Sequence, residues 1–211
     1  MKLHLVLAVI LCVLFPALAL AYPTGLNVIP TADVLEPKSF RIEFENDGCS
    51  RLFSAESERY WLLQAGIAPG LEVGVDAYYL EETSTMLNAK YAVLEESDSA
   101  PALAFGAFDI GEGGSPTYYL AAAKSFGRHR FHAGAIGNRR HSDPMAGYEF
   151  ELDDSAWLLF DWIRGDENYL TAGVYVENKL GGGISLAFGF PNSGEGENMV
   201  LLNLSWTCSL R

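Results

Sequence analysis

From Phe40 to Cys208 the chain alternates apolar and polar side chains in about a dozen runs of roughly eight to eleven residues, each bounded by turn residues, a period of two that predicts β-strands. In the run 199–208, Val200, Leu202, Leu204 and Trp206 fall on one side, and Leu201, Asn203, Ser205 and Thr207 on the other. Successive strand side chains leave opposite faces, so one face suits lipid and the other suits water. The run around Leu71 repeats this with Val73, Val75 and Ala77 against Glu72, Gly74 and Asp76, and the run around Tyr148 with Phe150 and Leu152 against Glu149 and Glu151. A soluble sandwich also alternates, so periodicity alone leaves both architectures open.

Connection lengths separate them. The pattern predicts strands at 38–46, 59–67, 70–80, 85–94, 102–110, 117–126, 128–137, 146–153, 155–163, 168–178, 182–190 and 199–208. Connections after odd-numbered strands are mostly long, including 47–58 and 138–145. Those after even-numbered strands are mostly tight, with 95–101 the exception. Long connections at one rim and short turns at the other predict an all-β, antiparallel up-and-down transmembrane β-barrel of about 12 strands. A soluble secreted β-sandwich or a lipocalin-like ligand-binding protein is the alternative. Trp61, Tyr79, Tyr91, Tyr119, Trp162, Phe190 and Trp206 fall near strand ends on the expected lipid face, where interfacial aromatic girdles lie.

The first 21 residues set the compartment. Lys2 provides a positive start, residues 5–15 an apolar stretch, and Ala19-Leu20-Ala21 a small-x-small cleavage site, which together predict a secretory signal peptide cleaved after Ala21. Residues 22–37, with Pro23, Pro30 and Pro37, alternate too little for a span and predict a periplasmic lead-in or a lumen plug, followed by the barrel at 38–211. The net charge is −13, which disfavours nucleic acid as a partner. Of the cysteines beyond the leader, Cys49 follows the first strand and Cys208 ends the last. An even strand count places them at opposite rims, beyond disulfide reach, and predicts free thiols.

The stretch TGLNVIPTADVLEPKSFRIEFE, together with WLLQAGIAPGLEVGVDAYY, LNAKYAVLEESDSAPALAFGAFDIG and YYLAAAKSFGRHRFHAGAIG, resembles the YjbH-like outer-membrane proteins, with GYEFELDDSAWLLFDW a weaker match. The resemblance spans most of the chain beyond the leader, in a chain far shorter than those family members. It implies an outer-membrane location and a role in exopolysaccharide production or export, with polysaccharide or export-machinery proteins as partners beside the lipid. It carries no catalytic residues. The chain ends on Trp206-Thr-Cys-Ser-Leu-Arg rather than on the terminal aromatic residue common among outer-membrane barrels.

The face opposite the lipid carries Arg41, Glu43, Glu72, Asp76, Lys90, Lys124, Arg130, Glu149, Glu151 and Asp161, which are the candidate lumen-lining residues, joined by Glu45, Arg128 and His132. Mixed charges of this kind either pair and fill a narrow barrel or line a hydrated path. The pattern therefore predicts a narrow pore or a scaffold. No serine elbow, CxxC pair or phosphate-cradling loop is present, and His129 and His132 fall on opposite strand faces. His141 and Asp143 are the only pair suggestive of rim chemistry, so no enzyme, metal or cofactor is expected.

Overall fold

The computed structural model describes residues 25–49, 51–54, 57–78, 84–111 and 115–210. The leader and Tyr79 lie outside these residues. Twelve strands form one closed antiparallel barrel: β1 (Ser39–Cys49), β2 (Glu58–Ala68), β3 (Leu71–Tyr78), β4 (Ser84–Leu94), β5 (Ala102–Ile110), β6 (Thr117–Phe126), β7 (His129–Gly137), β8 (Ser142–Asp153), β9 (Ala156–Ile163), β10 (Tyr169–Glu177), β11 (Gly182–Pro191) and β12 (Met199–Ser209). Each strand pairs with its sequence neighbours. The ring closes where β1 meets β12, from Ser39 opposite Ser209 to Cys49 opposite Met199. Closure leaves no row of unpaired backbone groups, which is what a sheet in lipid requires.

The outer face is apolar over most of its circumference. Leu63, Phe105, Leu120, Phe131, Val174, Leu186 and Leu204 are all exposed there. An exposed apolar belt on strands of eight to twelve residues is the surface of a barrel that crosses a bilayer. The soluble alternative is thereby excluded. No helix among the described residues is long and apolar enough to cross a membrane, so crossing is by strands.

Three sequence expectations are corrected. The connection expected at 138–145 is tighter. The Asn138 N–H bonds the His141 carbonyl at 2.8 Å, and β8 starts at Ser142, with Pro144 paired across from Ala135. Tyr119 is not in a lipid-facing girdle but is 4% exposed and faces inward against Phe108, while Tyr118 faces out. In Thr117–Phe126 both faces are apolar, so alternation could not choose between the two tyrosines. Arg128 lies in the β6–β7 turn rather than on the lumen face. That turn needs Gly127, whose φ of +62° lies in the left-handed region.

The cysteine geometry follows the barrel. Cys49 pairs with Met199 and Cys208 with Phe40, at opposite ends of the same ladder, and Cys208 is a free thiol.

The core lies inside the barrel. Ala102, Ala104, Phe108, Tyr119, Ala121, Ala123, Ile136 and Met145 from β5 to β8 form an apolar inner wall, and Ile29 and Ala32 from the segment preceding β1 pack on it. Small alanines on that wall leave room for a length of chain within the ring.

Candidate functional site: the lumen and its inner segment

The inner face has two halves of different chemistry. β5 and β6 present alanines with Phe108 and Tyr119, joined by Ile136 and Met145 at the long-connection ends of β7 and β8, whereas the short-turn ends of β7 and β8 and much of β1 to β4, β9, β10 and β12 present charged, amide and hydroxyl side chains. Of the sequence candidates, Glu43, Glu72, Asp76, Lys90 and Asp161 are buried on the inner face. Arg41 is beside them and is bonded to Glu43. Arg130 and Glu149 face inward nearer the short-turn rim, where His132 Nε2 lies 2.6 Å from Glu149 Oε1. Glu151 is on the same face of β8, opposite Trp157, at the strand end.

Lys124 is the exception. It pairs with Phe131 across β6 and β7 and shares the outer face with Phe126, over whose ring its Nζ lies 5.8 Å from the centroid. Its ammonium turns down to the β4–β5 turn, to Glu96 Oε1 at 3.2 Å and the Ser97 carbonyl at 2.7 Å. Alternation in β6 misplaced it for the same reason that it misplaced Tyr119.

Glu96 was not singled out by sequence, since acids in turns are usually solvated. Here burial pushes its carboxyl up, but the Ser125 N–H at 2.7 Å, the Lys124 ammonium and the charge of Arg130 outweigh that and hold it below the usual carboxylate range. A depressed folded-state value contributes stability above the unfolded-state pKa, and that contribution is lost as pH falls through the folded value. Wild type should therefore lose stability on acidification more steeply than Glu96→Gln. Urea midpoints measured across acidic pH check this, and parallel curves for the two proteins would refute it.

Residues 25–35 run inside the barrel. Leu26 N–H bonds the Ile29 carbonyl at 2.9 Å, and Gly25 bridges Pro30, so the segment makes a tight reversal. At one end, Asp161 Oδ2 accepts the N–H groups of Asn27 at 2.7 Å and Val28 at 3.0 Å. Asn27 Nδ2 donates to Thr171 Oγ1 at 2.9 Å, and the Thr171 hydroxyl donates to Asp161. At the other end, Glu72 Oε2 accepts the Leu35 N–H at 2.9 Å, Lys90 Nζ donates to the Asp33 carbonyl at 2.5 Å, and Arg130 pairs with the Asp33 carboxylate at 2.7 Å. Asp161 and Thr171 lie toward the long-connection rim, whereas Glu72 and Lys90 lie toward the short-turn rim. The segment thus spans much of the lumen's depth.

Sequence reading did not find Thr171 or Asn27 because neither is charged. The available signal was glycine on the inner face. A Cβ on Gly66 would collide with the Leu35 and Glu36 carbonyl oxygens, and one on Gly147 would come within 2.6 Å of Leu26 Cδ1 and 2.8 Å of Ile29 Cδ1.

Beside the segment remains a cavity of about 480 Å³. Its wall includes Arg41, Glu43, Glu45, Asp47, Tyr60, Asp76, Tyr175 and Asn203, and residues 25–35 close one side of it. Asn203 donates to Glu45 at 2.7 Å, and Asn88 to Asp76 at 3.3 Å. No ion pair within 4.0 Å reaches Glu45, Asp47 or Asp76 among the described residues, and the Arg41 guanidinium is engaged by Glu43. The cavity wall therefore carries more carboxyl than basic side chains.

These features define a transmembrane barrel with a polar, partly occupied lumen. No protein-family model and no curated protein matches the chain. Among solved structures it is similar to the KdgM porin, with a TM-score of 0.60 and 10% identity over 81% of this chain and 99% of that one. It is also similar to the KdgM porin in complex with disordered oligogalacturonate, with a TM-score of 0.58 and 9% identity over 82% of this chain and 99% of that one. The architecture is that of a porin-type barrel.

Proposed function

We propose that the chain is a non-enzymatic outer-membrane barrel forming a narrow, cation-preferring pore that serves exopolysaccharide production or export. The observation that carries this reading is the cavity whose wall holds Glu45, Asp47 and Asp76 with no ion pair within 4.0 Å among the described residues. Carboxylates in a narrow, low-dielectric passage attract cations and repel anions. The neighbouring KdgM structure holds oligogalacturonate, a chain of carboxylates. The acidic wall here favours neutral or cationic solutes instead, so the cargo class differs although the barrel is similar. The likeness of 24–45 and later stretches to YjbH-like proteins supports the exopolysaccharide context, with polymer or export-machinery proteins as partners.

The test is the sign of selectivity. In planar bilayers under a KCl gradient, the reversal potential should report preference for K⁺. Glu45→Gln combined with Asp76→Asn should move it toward zero. Preference for chloride, or recovery of the protein in a soluble periplasmic fraction without detergent, overturns the proposal.

A further inference from the structure

We propose that residues 25–35 are an internal strap that occludes the lumen by occupying, in cis, the polar wall groups a passing solute would use. This rests on the pore reading above. The first argument is that the strap lies outside the sheet. Every barrel strand is paired on both sides by other barrel strands, and the described strap has only its own Gly25 to Pro30 bridge. Its release breaks side-chain clasps and apolar contacts but no ladder of the wall.

The second argument is the state of the charged groups beneath it. Lys90 is 1% exposed, Glu72 0% and Asp161 2%. Ionisable groups on a pore wall are ordinarily wet, and taking them from water is costly unless hydrogen bonds replace the solvent. Here the replacement comes from the strap's main chain: the N–H groups of Asn27, Val28 and Leu35 and the carbonyl of Asp33. Peptide N–H and C=O groups at Asp161, Glu72 and Lys90, and the Asn27 side-chain amide at Thr171, present the same donors and acceptors as saccharide hydroxyl and acetamido groups. When the strap leaves, water or such a solute satisfies the same wall.

The third argument is the apolar anchor. Ile29, 1% exposed, and Ala32 hold the strap in the apolar cluster it shares with Ala102, Ala104, Ala121, Ala123, Phe108 and Met145. Two chemically distinct attachments, the Asp161 clasp and the Ile29 anchor, can be loosened separately. One lies on the wall and the other on the strap.

Unitary conductance in planar bilayers tests the strap, using full-length protein whose heat-modifiable gel mobility shows a folded barrel. Asp161→Ala and, independently, Ile29→Ser should each raise conductance by about threefold or more. Ile29→Ser leaves the wall intact, so it reads the strap even where Asp161→Ala fails to assemble. In the Ile29→Ser protein with Cys49 and Cys208 replaced by Ser, an added Asn27→Cys and Thr171→Cys pair should return conductance to the wild-type level when oxidised and release it under reductant. Equal conductance of folded wild type and the folded loosened variants overturns the strap and leaves the pore standing. Folded barrels that conduct in no variant overturn the pore reading itself.

Discussion

Leu186→Arg should cost about 2 to 4 kcal/mol of barrel stability, while Ser185→Arg, one residue away, should cost less than about 1. The two side chains leave β11 on opposite faces. Leu186 is 38% exposed on the outer wall, with Val174 and Leu202 as its cross-strand neighbours, whereas Ser185 borders the cavity. A guanidinium at the middle of the lipid-facing band must be dragged from water into hydrocarbon or must deform the bilayer. At Ser185 it enters a space already lined by Glu43, Glu45 and Asp76, where opposite charge favours it. Urea-dependent refolding into phospholipid vesicles gives both values. Equal losses at the two positions would sink the assignment of faces, since a soluble sandwich would penalise whichever residue pointed into its core.

Lys90→Met should cost about 3 to 5 kcal/mol, most of which should return when Glu72→Gln is added. The two side chains are fully buried, with Lys90 Nζ 3.8 Å from Glu72 Oε1. Removing the ammonium strands a carboxylate in a region the strap keeps dry, and it removes the donor to the Asp33 carbonyl. Neutralising Glu72 as well removes the stranded charge and keeps an amide oxygen to accept the Leu35 N–H. A double variant as unstable as the sum of the two single variants would show that the pair is not electrostatically coupled. The same comparison made in an Ile29→Ser background should give a smaller coupling, because a loosened strap admits water to both groups and raises the local dielectric.

Much of the barrel is readable along the chain for a local reason. On a strand, neighbouring residues face opposite solvents, so wherever those solvents differ the sequence must alternate. β12 shows this with Leu204 and Trp206 outward against Leu201 and Ser205 inward. β3 and β11 behave alike, and the bounds of β5 and β6 coincide with the apolar runs. Where the inner wall is itself apolar the signal vanishes. That is the case in β6, where Tyr119, Ala121 and Ala123 face inward while Tyr118 and Leu120 face out, and where Lys124 was consequently put on the wrong side.

The alternation and the turns thus determined an antiparallel barrel and the identity of most of its charged inner residues. They did so because strand geometry, lipid and water act on each residue locally. Only the tertiary structure decided that the chain before β1 enters the lumen, that β5 and β6 offer it an alanine wall, and that Asp161, Glu72 and Lys90 grip its backbone while Thr171 holds the Asn27 side chain. The partners of its backbone are separated from it by up to 134 positions along the chain, and the groups that Asp161, Glu72 and Lys90 bind are main-chain N–H and C=O, which every residue carries and no side-chain pattern can announce.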